Sequence, residues 1–163
     1  MKKSKFKAIL KAENKKIFNY LLKILRHRED AEDVLQETFI AFYHKMENVD
    51  AKSYRSYLFT TAYHKALNVV KVRKKREKTA ELDYVAEEVA EDNSSKNTMI
   101  KKCLQQLSME DAFIIELQFY QKMNYKEIAK TLECTVSAVD SRLVRAKRKL
   151  KKNILQYKIE NDV

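Results

Sequence analysis

The 163-residue chain contains no glycine and no proline, where average usage would supply about 11 and 8. A glycine-dependent phosphate loop is therefore excluded, and turns have to be built from Asn, Asp, Ser and Lys. Strand signals are equally scarce, so the fold class expected is all-α with short loops. There are two cysteines, Cys103 and Cys134. Neither stands at metal-ligand spacing from His27, His44 or His64, so the thiols are read as reduced and packed, the histidines as surface or packing residues, and no metal or cofactor is expected. No hydrophobic run approaches membrane length, and the basic start MKKSKFK is not followed by an apolar signal core, which points to a cytoplasmic protein.

Charge is what the chain has in quantity. Charged residues make up 35% of it against 45% hydrophobic, and the net charge of +11 with a pI near 9.5 suggests a polyanionic partner. The distribution says more than the total. Residues 1–76 hold 19 Lys and Arg against 8 Asp and Glu, residues 77–95 hold 1 against 7, and residues 96–163 hold 14 against 8. Two basic blocks thus flank an acidic spacer. The expected organisation is a helical domain over 1–76, an acidic flexible linker over 77–95 and a second helical domain over 96–163.

Residues 4–26 form an amphipathic helix with Phe6, Ile9, Leu10, Ile17, Leu21 and Ile24 near one face. His27 and Arg28 then make a tight connection, with Asp30 as the expected N-cap of the next helix. That helix concentrates carboxylates where the dipole favours them, places Leu35, Phe39, Phe42 and Met46 on a core stripe, and leaves Asp33, Gln36, Glu37 and Ile40 as an acidic face with one apolar member, suited to a basic partner. After a polar break a helix from Ser53 or Tyr54 to about Arg76 keeps Leu58, Ala62, Ala66 and Val69 inward. Tyr54, Tyr57, Phe59 and Tyr63 interleave there with Arg55, His64 and Lys65, and the helix runs out into Lys71, Arg73, Lys74, Lys75 and Arg76. Aromatic rings beside bases suit unpaired nucleic acid, although Tyr57 reads as core.

In the second block Met99, Ile100, Cys103, Leu104 and Leu107 line one helix. Ser108 with Asp111 caps the apolar AFIIELQFY, and Asn124 with Glu127 repeats the capping pattern. Tyr125, Ile128, Ala129 and Leu132 face inward, Glu133, Cys134 and Thr135 make a turn, and Val136, Val139, Leu143, Ala146 and Leu150 line the last helix, whose extension from Asn153 is expected to fray. This is a helix-turn-helix with a basic exposed side.

The stretch AEDVLQETF followed by SYLFTTAYHKALNVV resembles region 2 of the sigma-70 family of bacterial transcription initiation factors, and NYKEIAKTLECTVSAVDSRLVRAKRKL resembles its region 4. The order and the acidic spacer match the small extracytoplasmic-function (ECF) group, over about 130 residues. The resemblance implies a non-enzymatic factor that binds core RNA polymerase at the β′ clamp helices and β flap, directs it to promoter DNA and opens the −10 element. Polymerase would be met by Asp30, Asp33, Gln36, Glu37 and Ile40. The −10 DNA would be met by Asp50, Lys52, Ser53 and Tyr54, holding a flipped base, and by Arg55, Tyr63, His64, Asn68, Lys71, Arg73, Lys74 and Arg76. The −35 element would be read by Ser137, Asp140, Ser141, Arg142, Arg145, Arg148 and Lys149. The spacer would thread the polymerase channel that later carries RNA. An anti-sigma factor is a further candidate partner, and a separate DNA-targeting recruiter is suggested by Asp140.

Two departures from the family pattern stand out. Glu133 occupies the turn position where relatives place glycine, so either it adopts a left-handed conformation or the turn differs. Asp140 stands where a base is common, which predicts relaxed or assisted −35 reading. Two alternatives stay open on the residues themselves: a free-standing helix-turn-helix regulator, and a nuclease using Asp30, Glu32, Asp33 and Glu37 as metal ligands.

Overall fold

A computed structural model describes residues 1–79 and 95–161, which form two compact units with no strand among the described residues. Most of the expected acidic linker, residues 80–94, lies outside them. Its first residues belong to a helix, because the third helix runs on to Thr79.

In the first unit α1 spans Lys2–Leu25, α2 Arg28–Lys45 and α3 Tyr54–Thr79. Each helix packs on both others. From α1 come Ile9, Ile17, Tyr20, Leu21 and Leu25; from α2, Ala31, Val34, Phe39 and Phe42; from α3, Leu58, Phe59, Ala62, Tyr63 and Ala66, all buried. Leu35 is only half-buried, the α2 stripe being completed instead by Val34 and Thr38, whose hydroxyl donates to the Val34 carbonyl at 2.7 Å. Aromatic rings interlock across the helices. Phe6 meets Phe39, Phe42 and Tyr43; Phe42 meets Tyr57 at 5.9 Å; Tyr20 meets Phe59 at 5.8 Å. Edge-on and tilted pairs of this kind add to the burial of the rings themselves.

Without glycine, α1 ends on Arg26 in the left-handed region (φ 52°, ψ 28°), its N–H donating to the Leu22 carbonyl. The N-cap of α2 is then His27, not Asp30: Nδ1 of His27 accepts from the Asp30 N–H at 3.3 Å. Asp30 is the third helical residue, close enough to the cap for its N–H to be one of the donors that need an acceptor.

In the second unit α4 spans Ser95–Gln105, α5 Met109–Ile115, a π-helical turn Glu116–Tyr120, α6 Tyr125–Leu132 and α7 Val136–Glu160. AFIIELQFY is thus not one regular helix. It widens into the π turn at Glu116, a buried residue whose Oε1 accepts from Gln121 Nε2 at 2.9 Å. Lys122 follows with φ 55°. The two expected caps are present: the Ser108 hydroxyl accepts from Asp111 N–H, and Asn124 and Glu127 form a reciprocal capping box. Cys103, Phe113, Ile114, Ile115, Leu117, Ile128, Val139, Leu143 and Ala146 make the core.

Two expectations for α7 are corrected. Val136 is exposed, the apolar stripe beginning one turn later at Val139. The segment from Asn153 does not fray at once: the helix continues to Glu160, and Asn153 Nδ2 donates to the Cys103 carbonyl on α4 at 3.2 Å. Lys149 reaches back to Asp111 at 2.8 Å. Partial burial would raise the Asp111 carboxyl pKa, but hydrogen bonds from Lys149 and Ser108 and the charges of Lys149 and Arg145 outweigh it, holding the group below the usual carboxylate value.

The turn between α6 and α7 resolves the question raised by Glu133. It takes the left-handed conformation (φ 52°, ψ 47°), its N–H bonding to the Ala129 and Lys130 carbonyls, while the Cys134 N–H reaches the Ala129 carbonyl at 3.0 Å. A residue with a Cβ pays roughly 1–2 kcal/mol for that region, against an entropic cost of roughly 0.5–1 kcal/mol for glycine. Replacing Glu133→Gly should therefore raise the stability of this unit by about 0.5–1 kcal/mol in urea unfolding of the full chain. A loss of stability would show that the Glu133 side chain makes a compensating contribution.

Candidate nucleic-acid and protein interfaces

The outer side of α2 carries Asp33, Gln36 and Glu37, all exposed, with Ile40 at 58% exposure beside them. An exposed isoleucine among carboxylates is an apolar anchor with a charged rim, the arrangement that favours a basic protein surface. Asp30 does not join this face. It is half-buried and paired with Arg73 of α3, while its backbone N–H donates to His27 Nδ1. Glu37 is 62% exposed yet also meets Lys65 of α3 at 3.2 Å, so the acidic face borders directly on α3.

The residues suggested for −10 DNA fall into three groups. Asp50, Lys52, His64, Asn68, Lys71, Lys74 and Arg76 are exposed. They share the surface of α3 and the turn before it. Asp50 organises that turn, its Oδ1 accepting from the Lys52 N–H at 3.1 Å and its carbonyl from the Ser53 N–H at 2.8 Å. Ser53 and Tyr54 are half-buried at the start of α3, where the Ser53 carbonyl accepts from the Tyr57 N–H.

Three side chains expected to face outward turn inward. Tyr63 is buried at 8% exposure, because it lies four residues after Phe59 and three before Ala66 on the core stripe. Phe59, fully buried, likewise serves the core. Arg55 is pulled toward α1, where its Nε lies 3.4 Å from Oε1 of Glu13, and Arg73 toward the α1–α2 corner. Glu13 is 2% exposed and its Oε2 has no hydrogen-bond partner, so Arg55 is the compensating charge for a buried carboxylate, with Lys16 farther off at 3.9 Å. Sequence reasoning missed Glu13. The signal was available in the spacing Ile9, Glu13, Ile17, Leu21, a carboxylate in the middle of an apolar stripe.

In the second unit Thr135 caps α7, its hydroxyl accepting from the Ala138 N–H at 3.0 Å. Ser137, Asp140, Ser141, Arg142, Arg145, Arg148 and Lys149 all lie exposed on α7. The first four occupy the N-terminal turns, the part of a recognition helix that reaches base edges. Lys149 is 60% exposed while bonded to Asp111. Lys147, by contrast, lies over the exposed Phe119 ring, 5.2 Å from its centroid. For the nuclease alternative, no three His, Cys, Asp or Glu side chains come together as a metal site among the described residues.

The family descriptions "Sigma-70 region 2" and "Sigma-70, region 4" match residues 9–77 and 97–150, one on each unit and in that order. The chain belongs to the sigma-70 family. It is of the ECF type, and its curated relatives agree along almost its whole length. "RNA polymerase sigma factor YlaC" of Bacillus subtilis is 28% identical over 156 residues, 90% of each chain, and "ECF RNA polymerase sigma factor SigM" of the same species is 27% identical over 83% of this chain and 86% of its own. Among solved structures, the sigma factor RpoE from Bartonella quintana, crystallised with the anti-sigma factor NepR, shares the fold with a TM-score of 0.75 at 21% identity, covering 92% of this chain and 96% of that one. CnrH, solved with the cytosolic domain of CnrY, gives 0.68 at 21%, covering 90% and 85%.

In this sigma-70 chain the Glu13–Arg55 pair has a measurable consequence. Removing one partner of a buried pair costs about 3–5 kcal/mol, and the partial exposure of Arg55 reduces that to about 1–3. Arg55→Ala should destabilise the chain by that amount in thermal unfolding, and the double variant Glu13→Gln, Arg55→Ala by less than Arg55→Ala alone. Equal losses would mean that Glu13 is not held by Arg55.

Proposed function

We propose that the chain is an ECF sigma factor that docks on core RNA polymerase through the exposed Asp33, Gln36, Glu37 and Ile40 of α2 and opens the −10 element with the exposed residues of α3. The observation that carries this reading is the adjacency of the two surfaces. Within one helical unit an acidic face with an apolar anchor lies on α2, and Lys52, His64, Asn68, Lys71, Lys74 and Arg76 lie on the helix packed against it and the turn before it. Asp50, Lys52, Ser53 and Tyr54 at the head of α3 then receive a base from the opened strand, where stacking on an aromatic ring offsets part of the few kcal/mol of unstacking.

The second unit supplies the −35 contact. Ser137, Ser141 and Arg142 enter the major groove, and Arg145, Arg148 and Lys149 hold phosphate. The acidic stretch between the units suits a channel built for RNA. The factor contributes binding and strand opening while polymerase performs the chemistry, and it acts where the chromosome is, in the cytoplasm. An anti-sigma protein that covers these surfaces fits the same reading. Its competitor, a helix-turn-helix regulator that ignores polymerase, leaves the acidic face of α2 without a use.

Equilibrium binding to core polymerase tests the docking surface. Reversing two charges, Asp33→Lys with Glu37→Lys, should weaken core affinity about 100-fold, since like charges across an interface cost several kcal/mol. Both side chains are exposed, and turning the surface Glu37–Lys65 pair into a surface repulsion costs about 1 kcal/mol or less, so the fold tolerates the change. Unchanged affinity would remove α2 as the docking surface.

Asp140 limits the −35 contact. A carboxylate facing the DNA repels phosphate unless it accepts from a cytosine amino group. Recognition at −35 is therefore relaxed, or assisted by a separate DNA-binding recruiter. On that account Asp140→Lys raises promoter affinity of the holoenzyme about 3–10-fold, as a new phosphate contact should. No gain would indicate that Asp140 already makes a favourable base contact.

A further inference from the structure

Arg73 sits where α3 leaves the core and its basic tail begins. Around it Lys71, Val72, Lys74, Lys75, Arg76, Glu77 and Lys78 are all exposed. Arg73 itself points the other way, with only 18% of its side chain exposed. Nη1 donates to the Leu25 carbonyl at 2.8 Å, and Nη2 to Oδ2 of Asp30. The Leu25 carbonyl is the last of α1 and one of the acceptors that a helix end leaves without an internal partner. Asp30 stands in the first turn of α2, its N–H donating to the capping His27 Nδ1. One guanidinium therefore holds together the end of α1, the start of α2 and the exit of α3.

We propose that Arg73 and Asp30 are positioning residues, a clasp that aims the basic tail of α3, and that neither touches its polymerase or DNA partner directly. This rests on the reading of the chain as a sigma factor, but it reassigns two residues that the family resemblance places in the interfaces. The planar fork matters: a guanidinium meets two acceptors at once in fixed directions, whereas an ammonium is a point charge on a flexible stem. Two turns earlier the Glu37–Lys65 pair is a second strap between the same helices, but both of its side chains are more exposed. Residues 74–78 beyond Arg73 are exposed, whereas the Arg73 side chain is largely covered, which makes the clasp a buried polar anchor at the point where the tail begins.

The three roles differ in sign. Were Arg73 a phosphate contact, Asp30→Asn would release it and remove a negative charge, and DNA binding would rise. Were Asp30 a polymerase contact, core affinity would fall. For a clasp, Asp30→Asn leaves core affinity within about 2-fold and lowers promoter binding and opening by the holoenzyme about 10-fold, the scale of a lost charge-assisted hydrogen bond. Arg73→Lys, which keeps the charge, should fall nearly as far; a phosphate contact would tolerate it.

Amide hydrogen exchange on the free full-length chain tests the clasp without polymerase. Residues 70–78 should exchange about 10-fold faster in both variants, with the body of α1 before its last turn and the rest of α3 unchanged. Unchanged exchange in the tail overturns the proposal, as does increased DNA binding by Asp30→Asn. If the wild type fails to bind core at all, the functional reading fails, while the exchange result still decides whether the clasp exists.

Discussion

The packing of α3 across α1 and α2 is the constraint on which the rest of the first unit depends. It brings Phe59 against Tyr20 and Tyr57 against Phe42, and it leaves outward only those α3 residues that fall between the core stripes. The same packing sets the acidic side of α2 next to α3, close enough for Glu37 to reach Lys65. The acidic face of α2 and the exposed residues of α3 are thereby fixed relative to one another by a shared hydrophobic core. On the proposed reading, docking through α2 would deliver α3 to the DNA in a determined orientation, so that binding alone promotes strand opening.

A second constraint comes from the missing glycines. Helix ends that need positive φ are taken by Arg26, Lys122 and Glu133. Arg26 and Glu133 keep the backbone hydrogen bonds of a left-handed cap, and all three bear the cost of Cβ strain. In the second unit Glu133 caps α6 three residues before α7 begins, so the angle between the two helices is set by backbone geometry that the surrounding core must sustain. Ile128, Ala129 and Val139, buried on either side of the turn, provide that support.

Much of this was legible in the sequence because it depends on local signals. The apolar periodicities gave the helices, Asn124 and Glu127 gave the capping box, and the exposed α7 residues follow from the positions of Val139, Leu143 and Ala146. What local reasoning missed depends on partners far along the chain. Whether Arg55 and Arg73 face solvent or fold back is decided by Glu13 on α1 and by Asp30 across a separation of 43 residues. Tyr63 was misjudged because a tyrosine one position from Ala62 can serve either side of the stripe, and the interhelical packing chose the inside. The π turn at Glu116 carries no periodic signal. His27, the extended residue before α2, holds the cap, and Asp30, already inside the helix, pairs with Arg73 instead.

The central claim is that these surfaces make the chain a promoter-directing subunit of polymerase. Transcription from a random promoter library, using bacterial core RNA polymerase reconstituted with the purified chain, tests it most directly. The account predicts initiation downstream of a shared −10 sequence with a weaker or absent −35 preference. Failure to bind core, or binding with initiation at no preferred sequence, would contradict it.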